Sequence, residues 1–385
     1  MTTASHLFGS VASEMHVDCP TVHVVKGREK VLRMSKSLLA FSERCGQLGA
    51  MQDLGYFLSK PGAMERAPYL LLVSRTSNLD AHNPNLEDLV GVLLIFEYRP
   101  FGVATGAFAT NDRSGRNTFL ALPQYSRQVV ELCVQKLLKD GAHLILISFR
   151  SVDGVDPYGK PMLNVGATGK SIARWAQRNR TIPGYLPLSA TLDATLAKIG
   201  QRTRSNLRYY RRRAETRLGC VFFPDLAASR KEVLAFNREC MYAVPARVAG
   251  WRYDSLKDLE RAVLMGIQDR EGRWLSVMGG RRYNDRSEIL WQLNRDGFAA
   301  ASLSTVMRSY FIEHEIAQGS RRLYIEGGTP HPIRLSFVPE DLTDLVVVRH
   351  TPVARAMEKI ARHYIPPDNE LSQMLGVKAQ EWFQC

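Results

Sequence analysis

Residues 191–220 read TLDATLAKIGQRTRSNLRYYRRRAETRLGC, the densest run of positive charge in the chain. Lys198, Arg202, Arg204, Arg208, Arg211, Arg212, Arg213 and Arg217 stand against Asp193 and Glu215 alone. Leu196, Ile199, Leu207, Tyr210 and Ala214 recur at the three-and-four spacing of one helical face, with Thr203 in the gap. A helix here buries that stripe and fans its arginines outward. Such a face is either a solvated surface or a dock for an anion, and the charge pattern leaves both open.

Around this stretch, 385 residues suffice for two domains of ordinary size, and a composition of 45% hydrophobic and 23% charged residues excludes a disordered or fibrous chain. The 51 Lys and Arg against 38 Asp and Glu give a net charge of +13. That field draws phosphates, nucleic acid, acidic carrier proteins or anionic lipid without choosing among them. Cys19, Cys45, Cys133, Cys220, Cys240 and Cys385 form no CxxC pair and have no metal-type spacing to a histidine, so they read as reduced cytosolic thiols. No two-histidine spacing or acidic cluster points to a metal. The start MTTASHLFGSVASEMHV has no basic region leading into an apolar one, and no apolar run approaches about 18 residues. No membrane span and a cytoplasmic location are expected.

The apolar runs YLLLVS (69–74), LVGVLLIFEY (89–98) and HLILISF (143–149), bounded by Gly, Pro and Asn, predict strands in a sheet covered on both faces. One or two helices are expected over Val25–Leu58 and another over Tyr125–Leu138. A linker rich in Gly, Pro and Asp spans 151–169. Beyond it, helices are expected at Ile172–Gln177 and in the basic stretch, then a strand near Val221 and helices over Ser229–Tyr242 and Leu256–Gln268. Strands at Trp274–Met278 and Glu288–Leu293 follow, with GGRRYNDRSE as their connection. A helix over Leu303–Gln318, closed by Gly319, leads to the strand RRLYIEG. The fold class is α/β (α+β): a mixed, mainly antiparallel sheet flanked by helices. Both halves share the order strand, strand, polar Gly-containing loop, long helix, Gly, strand. That order points to a duplicated domain, with units at 1–165 and 166–385.

Three features in sequence, the basic helix LAKIGQRTRSNLRYYRRRAE, the antiparallel pair WLSVMGG and EILWQLN, and a loop opening a long helix that ends Ala-Gln-Gly before RRLYIEGG, resemble the GNAT superfamily of N-acyltransferases. The set is most similar to the branch linked to bacterial cellulose and exopolysaccharide clusters (CelD-like), with Fem-type aminoacyltransferases as relatives. The resemblance covers about 191–328 well and 69–149 more weakly. It implies a GNAT-like fold, tandem domains, and transfer of an acyl group from acyl-CoA or acetyl-CoA to an amine of a small molecule, sugar or peptide. Donors such as aminoacyl-tRNA or acyl carrier protein, and a non-catalytic binding protein, stay open as alternatives. The signature Q/R-x-x-G-x-G/A is mostly absent from Asn294-Arg295-Asp296-Gly297-Phe298-Ala299, and a Tyr-Lys pair often seen in relatives is replaced by GGTPHPIRLSF.

Candidate site residues follow from the chemistry. A loop feeding a long helix offers free N–H groups and the positive end of the helix dipole, so Ala299, Ala300, Ala301 and Ser302 are expected to hold the cofactor's pyrophosphate, against the plain reading of an ordinary helix start. Alternation puts Glu288, Leu290, Gln292 and Asn294 on one side of a strand, and Arg322, Tyr324 and Glu326 on one side of the next. The resemblance implies a sheet that splays between these strands, so Glu288, Gln292, Tyr324 and Glu326 are expected to line one cleft. Glu326 is the candidate general base, Tyr324 a proton donor and Glu288 a further catalytic carboxylate; the plain reading of Glu326 is an ion pair with Arg321 or Arg322. His331, just past the last strand, and Gln292 are expected to contact substrate, while His314 on an apolar stripe reads as a core residue. Arg208, Arg211 and Arg212 are the expected dock for tRNA or carrier protein.

Overall fold

A computed structural model describes residues 20–47, 51–59, 66–76, 85–110, 119–150, 173–326, 331–353 and 356. In chain order the strands are β1 (Thr21–Lys26), β2 (Arg66–Ser74), β3 (Leu89–Tyr98), β4 (Ala107–Ala109), β5 (Phe119–Ala121), β6 (Leu144–Arg150), β7 (Ala173–Pro187), β8 (Val221–Phe223), β9 (Ala262–Gln268), β10 (Trp274–Tyr283), β11 (Arg286–Asn294), β12 (Arg322–Ile325) and β13 (Val338–Arg349). The helices are α1 (Arg28–Arg33), α2 (Ser35–Arg44), α3 (Leu54–Leu58), α4 (Ser126–Lys139), α5 (Leu192–Ala197), α6 (Gln201–Arg213), α7 (Arg230–Arg238), α8 (Ala246–Asp254) and α9 (Leu303–Ala317).

All the strands join one sheet, in the order β1-β2-β3-β4-β6-β13-β7-β12-β11-β10-β9-β8, with β5 beside β3. Its pairs are antiparallel except β4 with β6 and β11 with β12. Each parallel pair is connected through a long helix, α4 or α9, as a parallel connection requires. The order reads alike from both ends. At its centre β13 leaves the neighbourhood of β12 and pairs with β6 on one side and β7 on the other. The architecture is the expected mixed, mainly antiparallel sheet flanked by helices.

Several local expectations are corrected. Residues 173–187 form β7 rather than a helix at Ile172–Gln177, because β13 pairs along nearly the whole strand. No α-helix forms over Leu256–Gln268: α8 precedes it, Ser255–Asp258 is a 3-10 turn, and Ala262–Gln268 is β9, held by β8 and β10. Gly266 in β9 lets Trp274 lie flat on the strand, since a Cβ there would meet the indole at 2.5 Å. The segment GGRRY continues β10, and the turn is Asn284-Asp285, with Asn284 in the left-handed region at φ 49°. A strand, β1, precedes the first helix. The basic stretch is broken at Lys198–Gly200 into α5 and α6, yet its apolar stripe is buried as expected at Leu196, Ile199, Leu207 and Ala214. The linker at 151–169 and the loop at 112–117 lie outside the described residues. The helix over Ser229–Tyr242 is α7, started by a reciprocal capping box between Ser229 and Glu232.

The second half of the sheet has α9 on one face and α3, α7 and α8 on the other. Val306, Met307, Phe311 and Ile312 of α9 pack on Met278, Ile289 and Leu323. Near its end, buried Glu315 accepts from Arg282 of β10 at 2.8 Å and from Ser287 of β11, fastening the helix to the sheet. On the opposite face Tyr56 of α3 joins Val233, Phe236, Trp291 and Leu293. There Arg281 of β10 is fully buried between two carboxylates, Asp53 at 2.6 Å and Glu288 at 2.8 Å. Its guanidinium lies 4.2 Å from the Tyr283 ring centre. Among the described residues no helix is long and apolar enough to cross a membrane, and no group of three or more His, Cys, Asp or Glu could hold a metal ion.

Because Arg281→Met leaves both carboxylates buried without their countercharge, it is expected to cost about 3–5 kcal/mol. Denaturant unfolding checks this, and a loss under about 1 kcal/mol would show that Asp53 and Glu288 relax to solvent.

Candidate active site

β11 and β12 run together only from Arg286↔Arg322 to Ile289↔Ile325. The last link is the Glu326 N–H donating to the Ile289 carbonyl at 2.8 Å. The next residue, Leu290, is an extra one: opposite β10, Gly280 pairs with Ile289 and Gly279 with Trp291, so Leu290 bulges. A bulge bends and twists its strand. Two glycines permit it: a Cβ at Gly280 would lie 2.5 Å from the Glu288 carbonyl, and one at Gly279 would enter the Trp291 ring at 2.2 Å. β11 then continues to Asn294, whose carbonyl accepts from the Met241 N–H at 3.0 Å. Among the described residues, positions 290–293 pair only with β10, and this fork between the described ends of the two strands is the slot.

The bulge splits the residues expected to share a cleft. Glu288 faces α3 and is held by Arg281. Gln292, paired with Met278, faces the α9 side; its Nε2 donates to Ser276 Oγ at 3.2 Å and Asn294 Oδ1 at 2.9 Å, while its Oε1 is buried with no hydrogen bond among the described residues. The alternation that grouped Glu288 with Gln292 is therefore corrected, and the burial of Glu288 in an ion pair removes it from the slot. Tyr324 is also buried: its hydroxyl donates to Glu340 of β13 at 3.0 Å and its ring lies 5.5 Å from that of Tyr185. A phenol already committed to a carboxylate is poorly disposed to protonate a leaving group. Glu326, at the end of β12, lies near Arg252 of α8. Burial lowers the pKa of Arg252, and the neighbouring Tyr56 and Glu326 partly offset that. The Arg252 carbonyl in turn accepts from Trp291 Nε1 at 3.1 Å, so α8 is anchored over the slot.

Past β11, Ala299–Ala301 form one 3-10 turn and Ser302, at φ 49°, starts α9. Ser302 Oγ meets Thr305 Oγ1 at 2.8 Å and does not cap the backbone. Ala299 and Ala300 are exposed, leaving the helix start open. Thr305 is also reached by His331 Nε2 at 3.2 Å, and His331 Nδ1 accepts from the Ile333 N–H at 3.2 Å. His331 therefore carries its proton on Nε2 as a neutral imidazole. Burial first, then Arg308 and Arg334, lower its pKa to about 4. Arg334 Nη2 donates to the carbonyl of Ile325, the last residue of β12, at 3.1 Å. Arg308, on the second turn of α9, is buried, and burial followed by repulsion from Arg334 lowers its pKa to about 10.

In the basic helix Arg208 pairs with Asp193 at 2.7 Å. Arg211 pairs with Glu215 at 3.0 Å and Glu313 of α9 at 2.7 Å, and lies 4.3 Å from the Tyr310 ring centre. Arg211 thus ties α6 to α9 and is corrected from dock to packing residue. Arg212 and Tyr209 are exposed, and Gly200 at the start of α6 donates to Ser336 Oγ at 3.4 Å, beside Arg334. Burial raises the described thiols, Cys220 to about 11 and Cys45 and Cys240 to about 12, so none of these is a thiolate near neutral pH.

Arg252, Arg308 and Arg334 were not singled out from sequence. A signal existed for Arg308 alone: a cation between Met307 and Tyr310 interrupts the apolar stripe of α9. His331 yields a pH prediction. Its folded pKa is about 4 against an ordinary 6.5, so between these values the unfolded chain binds the proton first. The contribution is intact above 6.5 and falls as pH falls toward 4, and His331→Gln is expected to flatten the melting temperature across that window. An unchanged profile would locate the acid sensitivity elsewhere.

No family model matches the sequence, and no curated protein matches it. Among solved structures the chain is similar to a tandem GNAT protein from the clavulanic acid biosynthesis pathway, at 13% identity and TM-score 0.44, over 86% of this chain and 99% of that one. It is similar to FemX at 10% identity and TM-score 0.48, over 80% and 95%, and to L-PGS from Bacillus licheniformis at 13% and 0.45, over 82% and 91%. The chain's own geometry is a mixed, mainly antiparallel sheet whose parallel pair β11–β12 parts at a bulge, with the long helix α9 between its strands.

Proposed function

We propose that the chain is an N-acyltransferase whose acyl donor, acyl-CoA or acetyl-CoA, enters the slot between β11 and β12. The observation that carries this reading is the edge at 290–293 that faces away from β10 and has no strand partner among the described residues, bounded by Glu326 on one side and followed by the open start of α9. A thioester arm lying along that edge meets backbone hydrogen-bonding groups, and the turn Ala299–Ser302 lets phosphates approach the helix start. The acceptor nitrogen attacks the thioester carbonyl, its carbon–sulfur bond breaks, and the nitrogen's proton passes to Glu326, directly or through water. Arg252 of α8 is the neighbouring cation of Glu326 at this end of β12. Tyr324 and Glu288 act as supports of the slot in this reading. The near-palindromic strand order supports a duplication with units at 1–165 and 166–385, β13 of the second unit completing the sheet of the first.

A second reading changes the donor to a polyanion, aminoacyl-tRNA or acyl carrier protein. The exposed Arg212 and Tyr209 on α6 favour it, because α6 begins beside the turn that carries Arg334. Binding that falls steeply with salt and is lost on reversing Arg208 and Arg212 would promote this donor over CoA.

Calorimetric titration with acetyl-CoA and longer acyl-CoAs is expected to give binding, and its absence for all of them would sink the CoA reading. In the acylation assay Glu326→Gln is expected to lower kcat by roughly 10²–10⁴-fold, with binding of the donor little changed; a near-wild-type rate would end its candidacy.

A further inference from the structure

Arg308 has no role in the transfer just described, and its surroundings are unusual for a cation. It is 8% exposed, and its Nε and Nη1 have no hydrogen-bond partner among the described residues. Among the described residues no carboxylate pairs with it. Its charged neighbour is another cation, Arg334, and the imidazole between Thr305 and the turn at 332–336 is neutral. Burying one guanidinium without a counterion is costly, and placing a second beside it compounds the cost.

The position explains what could repay that cost. Arg334 is fixed to the carboxyl end of β12 through the Ile325 carbonyl, at the point where β11 and β12 part. His331 is fixed to Thr305 in the first turn of α9. The two guanidinium groups therefore converge beside the mouth of the slot, next to the positive end of a long helix. They lie along the side of α9, beyond the turn Ala299–Ser302 that leads into it. Two fixed positive charges with planar donor forks, and the Thr305 hydroxyl that the His331 N–H leaves free to donate, match a tetrahedral dianion better than a single carboxylate.

We infer that Arg308, Arg334, Thr305 and His331 form a binding site for a phosphate group borne by the molecule that fills the slot. This rests on reading the slot as a ligand cleft. The phosphate belongs either to the acyl donor or to a phosphorylated amine acceptor, and both present the same chemistry to the two arginines.

The test uses the full chain with inorganic phosphate and pyrophosphate at constant ionic strength, read by thermal unfolding and calorimetry. Wild type is expected to melt higher in a saturable way. Arg308→Met should weaken that response about tenfold or more, and Arg308→Lys should keep part of it. Without anion, Arg308→Met should melt above wild type, because a buried repulsion is gone; a merely structural arginine gives the reverse. Arg334→Gln, on a separate element, repeats the measurement. No response of wild type to either anion, an undiminished response of both variants, or an Arg308→Met protein that melts lower or fails to fold overturns the site. Displacement of phosphate by CoA but not by pantetheine assigns the group to the donor, and displacement by a phosphorylated amino sugar alone assigns it to the acceptor. Displacement by neither overturns its place in the slot. Because inorganic phosphate carries no acyl group, this site stands or falls independently of acyl transfer.

Discussion

One extra residue in β11 governs the second half of the molecule. Leu290 has no counterpart in β10, and from that point β11 follows β10 and leaves β12. The turn of the strand also reverses which side chains see which layer, sending Glu288 to α3 and Gln292 to α9. Gly279 and Gly280 are the other half of the same constraint, since no side chain fits at either position without displacing the Trp291 ring or the Glu288 carbonyl. Trp291, resting on Gly279 and donating to the Arg252 carbonyl, then carries the distortion outward to α8.

Charge is distributed by a logic that composition conceals. The arginines that dominate the sequence, those of α6, are largely at the surface, and Arg208 and Arg211 spend their charge on Asp193, Glu215 and Glu313. The arginines held within the second half of the fold lie outside that run and differ in kind. Arg281 and Arg282 are matched by carboxylates and join layers of the fold. Arg308 has no such match among the described residues, and its charged neighbour is Arg334, which bonds the end of β12. Position relative to an acid, not density along the chain, separates a cation that builds structure from one poised toward a ligand.

Much of the layout was legible wherever local pattern and tertiary setting agree. β3 coincides with the run LVGVLLIFEY, α9 begins at the expected Leu303, and Ser229 starts α7. β7 was not legible: ARWAQRNRTIPGYLP is polar and arginine-rich, and it is a strand because β13 and β12 pair with it. Glu326 directly follows β12, its N–H donating to the Ile289 carbonyl. Glu288 and Gln292 fall on opposite faces, because strict alternation has no place for a bulge, and the trace of one was the pair Gly279-Gly280. The contact of Arg334 with the end of β12 depends on a turn whose path no periodicity encodes.

The central placement of β13 bears on how the chain is made. β6 acquires its second described neighbour from Val338–Arg349, far later in the chain, with Leu345 pairing to Ile147 and Val347 to Ile145. Until the ribosome has delivered that segment, the apolar edge of Leu144–Ser148 has β4 alone beside it and presents an open row of backbone groups. β7 is in the same position on its other flank. Among the described strands, that edge of β6 therefore waits for its partner while residues 151–337 are made, a state in which a chain is prone to pair with another copy of itself.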